Sequence, residues 1–116
     1  MVKKKSSYES LQDDIRKLKT PRIETWCNKY PDKEYAVLLE TSEFTCICPK
    51  TGLPDFAAIK IEYSPDLLCV ELKSLKMYLY SFRNTGIFHE HLINRILDDF
   101  VKTCKPRWAK VTGEFN

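Results

Sequence analysis

The amino-acid sequence predicts an α+β fold with an antiparallel sheet. Three observations predict it. β-prone, alternating runs crowd into residues 35–72. A 3.6-residue periodicity then takes over, and a single β-type segment closes the chain. The resulting order is strand, strand, strand, helix, helix, strand. Strands and helices are segregated, unlike the alternation of a βαβ fold.

Residues 1–20 are polar and rich in lysine, and read as an N-terminal arm with one short helix over residues 11–18. Residues 21–116 are expected to form one domain, which a chain of 116 residues fits. "YAVLLETSEFTCI" (35–47) is apolar and β-prone and predicts a long strand. "CPKTGLP" interrupts it with loop residues. "DFAAIKIEYSP" follows as a second strand of period 2, carrying Phe56 and Ala58 on one side. Pro65 and Asp66 mark a turn, and "LLCVEL" predicts a short third strand. Leu75, Tyr78, Leu79 and Phe82 then recur as one helix face does. "RNTG" breaks that helix. Leu92, Ile93, Ile96, Leu97, Phe100 and Val101 form the stripe of a second helix, which must end before Pro106. "RWAKVTGEF" predicts the closing strand.

Composition excludes several classes. Hydrophobic residues are 43% and charged residues 30%, ordinary for a soluble domain. The net charge is +3, much of it in Lys3, Lys4 and Lys5, which argues against a nucleic-acid-binding face. The basic N-terminus has no apolar stretch after it, so it does not read as a signal peptide. No apolar run reaches membrane-spanning length. The cysteine count, 5, is odd, and nothing suggests secretion, so a reduced, cytoplasmic protein is expected. No C-x-x-C and no spaced Cys/His set occurs, and no metal is expected. Of the 3 glycines none forms G-x-G-x-x-G, so a nucleotide cofactor would have to be held by side chains.

Three stretches can carry chemistry. In "TCICPKTGLPDFA" (45–57), Cys48 stands where strand meets loop, and Asp55 follows beside Pro54 and Phe56. A thiolate there could act as a nucleophile, with Asp55 as an acid. A buried structural cysteine and a turn aspartate fit the same letters. Cys46 shares a strand face with Cys48, but Cys48 is the thiol at the loop. In "ELKSLKMY" (71–78), Lys73 and Lys76 are three apart and share a helix face. They could clamp a phosphate or simply be solvated. In "FHEH" (88–91), Glu90 suits the first turn of a helix, and could equally grip the N–H groups of a guanine-like ring. His89 and His91 point to different sides of a helix and do not make a zinc motif.

Taken together, these stretches resemble the NADPH-dependent nitrile reductases of queuosine biosynthesis. "ELKSLKMY" fits that family's signature E-[S/L]-K-[S/A]-x-K-[L/M/Y]-[Y/F/W]. "FTCICPKTGLPDFA" is similar to its nucleophile loop, and "YSFRNTGIFHEHLINRILDD" to its helical segment. The resemblance covers roughly residues 35–115. It implies reduction of the nitrile of 7-cyano-7-deazaguanine to 7-aminomethyl-7-deazaguanine, a step of tRNA modification, with NADPH as cofactor. It implies Cys48 as the covalent nucleophile and Asp55 as the proton donor. Glu90, His89 and Glu71 are implied as substrate-binding residues, and Lys73 and Lys76 as cofactor-binding residues. The implied architecture is the tunnelling fold, a four-stranded antiparallel sheet with two helices on one face, closing into a barrel between subunits. Pentameric rings paired as decamers are implied, with active sites between subunits. Family members usually continue past "GEF" into an Arg-Gly-Gly segment, whereas this sequence stops at Asn116. A related enzyme that adds ammonia to the same nitrile on tRNA shares the cysteine and aspartate but lacks the lysine signature. A purine-binding module without catalysis would retain the ring-gripping residues alone.

Overall fold

The computed structural model describes residues 18–116. The predicted arm helix over 11–18 lies, but for Leu18, outside the described residues. The described chain runs β1 (Thr25–Cys27), β2 (Val37–Ile47), β3 (Pro54–Ser64), β4 (Leu68–Val70), α1 (Leu72–Tyr80), α2 (His89–Cys104) and β5 (Trp108–Phe115). The α+β class and the two helices are as the sequence predicts. The single four-stranded sheet is not. β2, β3 and β5 form one antiparallel sheet in that order, and β4 leaves it to pair with β1. The reason is local. Pro65 and the turn after it carry the chain off the sheet, and β4 spans only 3 residues. Its backbone groups are met by Thr25–Cys27, too short a strand to leave a periodic signal, and by the Tyr63 hydroxyl, which accepts from Val70 N–H at 3.0 Å.

One face of the three-stranded sheet is the core. On β3 it is Ala57, Ile59, Ile61 and Tyr63 that are buried, while Phe56 is exposed. The apolar phase therefore runs through the odd residues, opposite to the Phe56–Ala58 side. A bulge between Thr41 and Phe44 shifts the register of β2, so that Phe44 and Cys46 reach the same core face. Both helices cover it, α1 with Leu75, Tyr78 and Leu79, α2 with Leu92, Ile96, Phe100 and Cys104. Burying a side chain of this size contributes about 1.5–3 kcal/mol. The helices are tied to one another as well: the Tyr78 hydroxyl donates to Asp99 Oδ2 at 2.5 Å, and Arg95 Nε donates to the same oxygen at 2.7 Å. α2 stops where Lys105 takes a left-handed conformation (φ 49°) ahead of Pro106. Among the described elements β2 and β5 each pair with β3 alone, so the sheet has two open edges. No described helix is long and apolar enough to cross a membrane.

Candidate active site

The hairpin between β2 and β3 sets the cysteine. Cys48 N–H donates to the Leu53 carbonyl at 2.8 Å, and Gly52 N–H donates to the Cys48 carbonyl at 2.8 Å. The tight return needs Gly52 at φ 73°, where a side chain would be strained. Cys48 is left half-buried at the mouth of the loop. Its thiol titrates below the ordinary cysteine value: the Thr51 hydroxyl bonds it, and the backbone N–H groups of Thr51 and Lys50 point at it. Burial and the Asp55 carboxylate oppose this with smaller effect. Donors aimed at sulfur stabilise the thiolate, the form that attacks electrophiles.

Cys46 behaves oppositely. It is fully buried, and burial pushes its thiol up to about 11, helped by the nearby Asp55 and Cys48. Near neutrality it is a protonated, unreactive thiol beneath its neighbour, which separates the two cysteines of the C-x-C pair.

Asp55 lies directly across the ladder from Cys46, and its carbonyl accepts from Thr45 Oγ1 at 2.9 Å. Its carboxylate reaches His89, with Nε2 to Oδ2 at 3.0 Å. Their separation of 34 positions in sequence is bridged by backbone geometry. Ile47 N–H donates to Thr85 O at 2.9 Å and Ile87 N–H donates to Ile47 O at 3.1 Å, a short parallel bridge centred on Gly86. "RNTG" thus docks the start of α2 on the end of β2. His89 is the first residue of α2, and Glu90, in its first turn, is solvent-exposed. The N-terminal backbone dipole there favours the negative charge of Glu90.

The structure therefore brings Cys48, Asp55, His89 and Glu90 to one end of the sheet. The other three expected site residues lie on α1. Glu71 is its N-cap: its carboxylate accepts from Lys73 N–H at 2.6 Å and from Ser74 N–H at 3.0 Å. Ser74 in turn accepts from Glu24 N–H at 2.8 Å, stitching the helix start to the segment before β1. Glu71→Ala is expected to lower stability by about 1 kcal/mol, read as a fall in Tm. If the KM for the substrate rises as well, the capping carboxylate also meets substrate.

Lys73 and Lys76 are exposed, and among the described residues no carboxylate is paired with either. Lys76 Nζ lies 5.6 Å from the centre of the Tyr80 ring. Lys76 also lines a cleft of about 380 Å³ between α1 and β2, with Leu38, Leu72, Leu75 and Leu79, and with Glu40 and Glu43 on its wall. This cleft is not the cysteine's surroundings. It opens on the middle of β2, on the order of 20 Å from Cys48 at about 3.3 Å per strand residue. Its apolar, acidic lining does not suit a phosphate, whereas the exposed lysine pair does. Among the described residues no group of three or more His, Cys, Asp or Glu could hold a metal ion.

Two participants had no signal in the sequence. Thr51 reads as an ordinary loop residue, yet it is the main donor to Cys48. Phe115 lies in the last strand and stacks on His89.

Comparison with known proteins bears on this arrangement. The family model of QueF-like proteins matches residues 54–116. The NADPH-dependent 7-cyano-7-deazaguanine reductase of Nitrosococcus oceani is 53% identical over 94 residues, covering 81% of this chain and 73% of that protein. The chain belongs to the QueF-like family. Two other members carrying the same reductase name are similar to it: that of Syntrophus aciditrophicus, 56% identical over 94 residues (81% of this chain, 67% of that one), and that of Elusimicrobium minutum, 57% identical over 97 residues (84% and 73%). Among solved structures, the apo crystal structure of the archaeosine synthase QueF-Like superposes with a TM-score of 0.65 at 27% identity, covering 67% of this chain and 77% of that one.

Proposed function

We propose that this chain is an NADPH-dependent 7-cyano-7-deazaguanine reductase, converting the nitrile to the primary amine through a covalent thioimidate. The observation that carries the reading is the half-buried Cys48, its thiol held below the ordinary cysteine value by the loop's donors, beside the Asp55–His89 pair. A nitrile carbon accepts hydride poorly. Addition of the Cys48 sulfur to that carbon forms a C–S bond and turns the triple bond into a C=N bond, a better acceptor. Asp55 gives the nitrogen its proton, with His89 holding the carboxyl in place. Two NADPH, bound in turn, would each supply one of the two hydrides that the conversion of nitrile to amine requires. Expulsion of the Cys48 thiolate from the thiohemiaminal carbon, between the two reductions, frees the cysteine and leaves an imine. Glu90 at the start of α2 accepts from the N–H groups of the deazaguanine ring, and Glu71 is assigned a supporting contact.

Lys73 and Lys76 are assigned to the phosphates of the cofactor. They stand on α1, far along the sheet from Cys48. Their separation and the two open sheet edges support a site completed by a second subunit. The reading accordingly includes self-association into pentameric rings paired as decamers, the sheets of neighbouring tunnelling-fold domains (21–116) forming a barrel. It places the enzyme in the cytoplasm, with a free 7-deazapurine and not a nucleic acid as its substrate.

The structural likeness to an archaeosine synthase favours one second reading, amidine formation on the same nitrile. Mixing the protein with 7-cyano-7-deazaguanine and NADPH separates the two. Steady loss of NADPH absorbance is the expected result. A covalent mass adduct with no NADPH consumption would favour the second reading, and no adduct would sink both. Lys73→Ala and Lys76→Ala should each raise the apparent KM for NADPH about tenfold, the worth of one charge-assisted hydrogen bond, with kcat little changed. An unchanged KM in both variants would remove the lysines from the cofactor site.

A further inference from the structure

Phe115 belongs to none of the motifs, and the proposed mechanism does not use it. Its ring lies flat on the His89 imidazole, with centroids 3.6 Å apart and planes 9° from parallel. Two phenyl rings avoid such full overlap because their negative faces repel. The arrangement suits a polar imidazole, and the one here is hydrogen-bonded through Nε2 to Asp55 Oδ2.

Three elements converge to make this stack. On β3, Asp55 and Ala57 are two residues apart and share the core face. Phe115 is the ladder partner of Ala57, whose small, buried side chain leaves space beside it. On α2, His89 and Ile93 are one turn apart and share a helix face. On β5, Gly113 and Phe115 are two apart and share a strand face. Gly113 meets Ile93, and Phe115 meets His89. A Cβ at Gly113 would fall 2.7 Å from Ile93 Cδ1 and 2.9 Å from Phe115 Cε1. Glycine there lets α2 approach β5 closely enough for the rings to touch. Beyond the stack, Asn116 N–H donates to Phe56 O at 3.0 Å, which holds the end of the strand in the ladder.

We propose that Phe115 is a positioning residue for the reaction: its ring fixes the plane of the His89 imidazole, so that Nε2 stays on Asp55 Oδ2 as Asp55 delivers its proton. Gly113 serves the same end by admitting the ring. This rests on the assignment of Asp55 and His89 as the proton-delivering pair. The histidine has only two ways to turn away from Asp55, rotation about its own bonds or movement of the helix start. The stack blocks the first, and the Gly86 bridge limits the second.

The test uses Phe115→Leu, Phe115→Tyr, Gly113→Ala and, as controls, Asp55→Asn and His89→Ala. The stack itself is read by NMR. In the wild-type protein the His89 ring protons should be shifted upfield by the Phe115 face, relative to those of His91. The shift should vanish in Phe115→Leu and persist in Phe115→Tyr. In Phe115→Leu, kcat should fall roughly tenfold to a hundredfold, the range expected for a misplaced catalytic group. The solvent deuterium isotope effect on kcat should rise as proton delivery becomes limiting. Phe115→Tyr, which keeps the aromatic face, should stay within about threefold of wild type, and Gly113→Ala should fall between. Loss of the upfield shift in Phe115→Leu with unchanged kcat would overturn the proposal. So would a fall in kcat that Tyr does not rescue and that leaves the isotope effect unmoved, which is the signature of a packing role. Full turnover in Asp55→Asn and His89→Ala would instead overturn the underlying assignment of the pair.

Discussion

Cys48→Ala is expected to abolish NADPH consumption and covalent capture of the nitrile together. Removing a nucleophile that forms the intermediate costs roughly 10³-fold in kcat or more, and no nearby thiol can substitute. Cys46, the only other cysteine in the hairpin strand, is buried and pushed up to about 11, so it stays protonated while Cys48 is reactive. The pH dependence follows from the direction of the Cys48 shift. Its folded value lies below the ordinary thiol value, so its reaction with iodoacetamide should reach half its limiting rate at a lower pH than a free cysteine does. Thr51→Val removes the largest cause of that shift and should move the midpoint upward. Exposed Cys27 will also alkylate, so the labelled site is read by peptide mass, with a free cysteine peptide as the reference thiol. Substantial turnover by Cys48→Ala would sink the covalent mechanism, and a Cys48 midpoint equal to that of a free cysteine peptide would sink the thiolate-stabilising role of the loop.

The legible part of this protein was the part written in local pattern. Period-2 runs announced β2 and β3, and the 3–4–7 spacing of Leu75, Tyr78, Leu79 and Phe82 announced α1. Pro49, Gly52 and Pro54 announced the hairpin that carries Cys48. What escaped lay in long-range geometry. Thr25–Cys27 is too short to show a period, so the small β1–β4 sheet was invisible and a four-stranded sheet was expected in its place. The β2 bulge was hidden because alternation is lost across it. Of the site, the residue types were readable from three separate motifs, but their grouping was not. Nothing in "FHEH" says that His89 reaches Asp55, 34 residues earlier. That contact depends on Ile47 pairing with the Gly86 segment, a backbone bridge that any side chains could make. The lysine signature shows the converse. Lys73 and Lys76 read from their spacing as a phosphate clamp, and that spacing does not say that within one chain α1 stands over a different part of β2 from Cys48.

Asp55→Asn is expected to lower kcat by roughly 10²–10⁴-fold, the usual contribution of a positioned general acid, without unfolding the protein. The backbone of Asp55 is held independently of its carboxyl, by the β2–β3 ladder and by the Thr45 hydroxyl on its carbonyl. The amide keeps an oxygen for His89 but has no acid proton to give, so the substitution separates chemistry from structure. His89→Ala should cost less, because the Asp55 carboxyl remains and loses only its orientation. The two changes act through one contact at 3.0 Å, so the double variant should be much less impaired than the product of the single losses. Independent, multiplying losses would mean that His89 serves the substrate and not the acid. An Asp55→Asn enzyme within about threefold of wild-type kcat, against a general-acid contribution of at least about a hundredfold, would mean that the nitrogen takes its proton from solvent, leaving the 3.0 Å pair a structural contact.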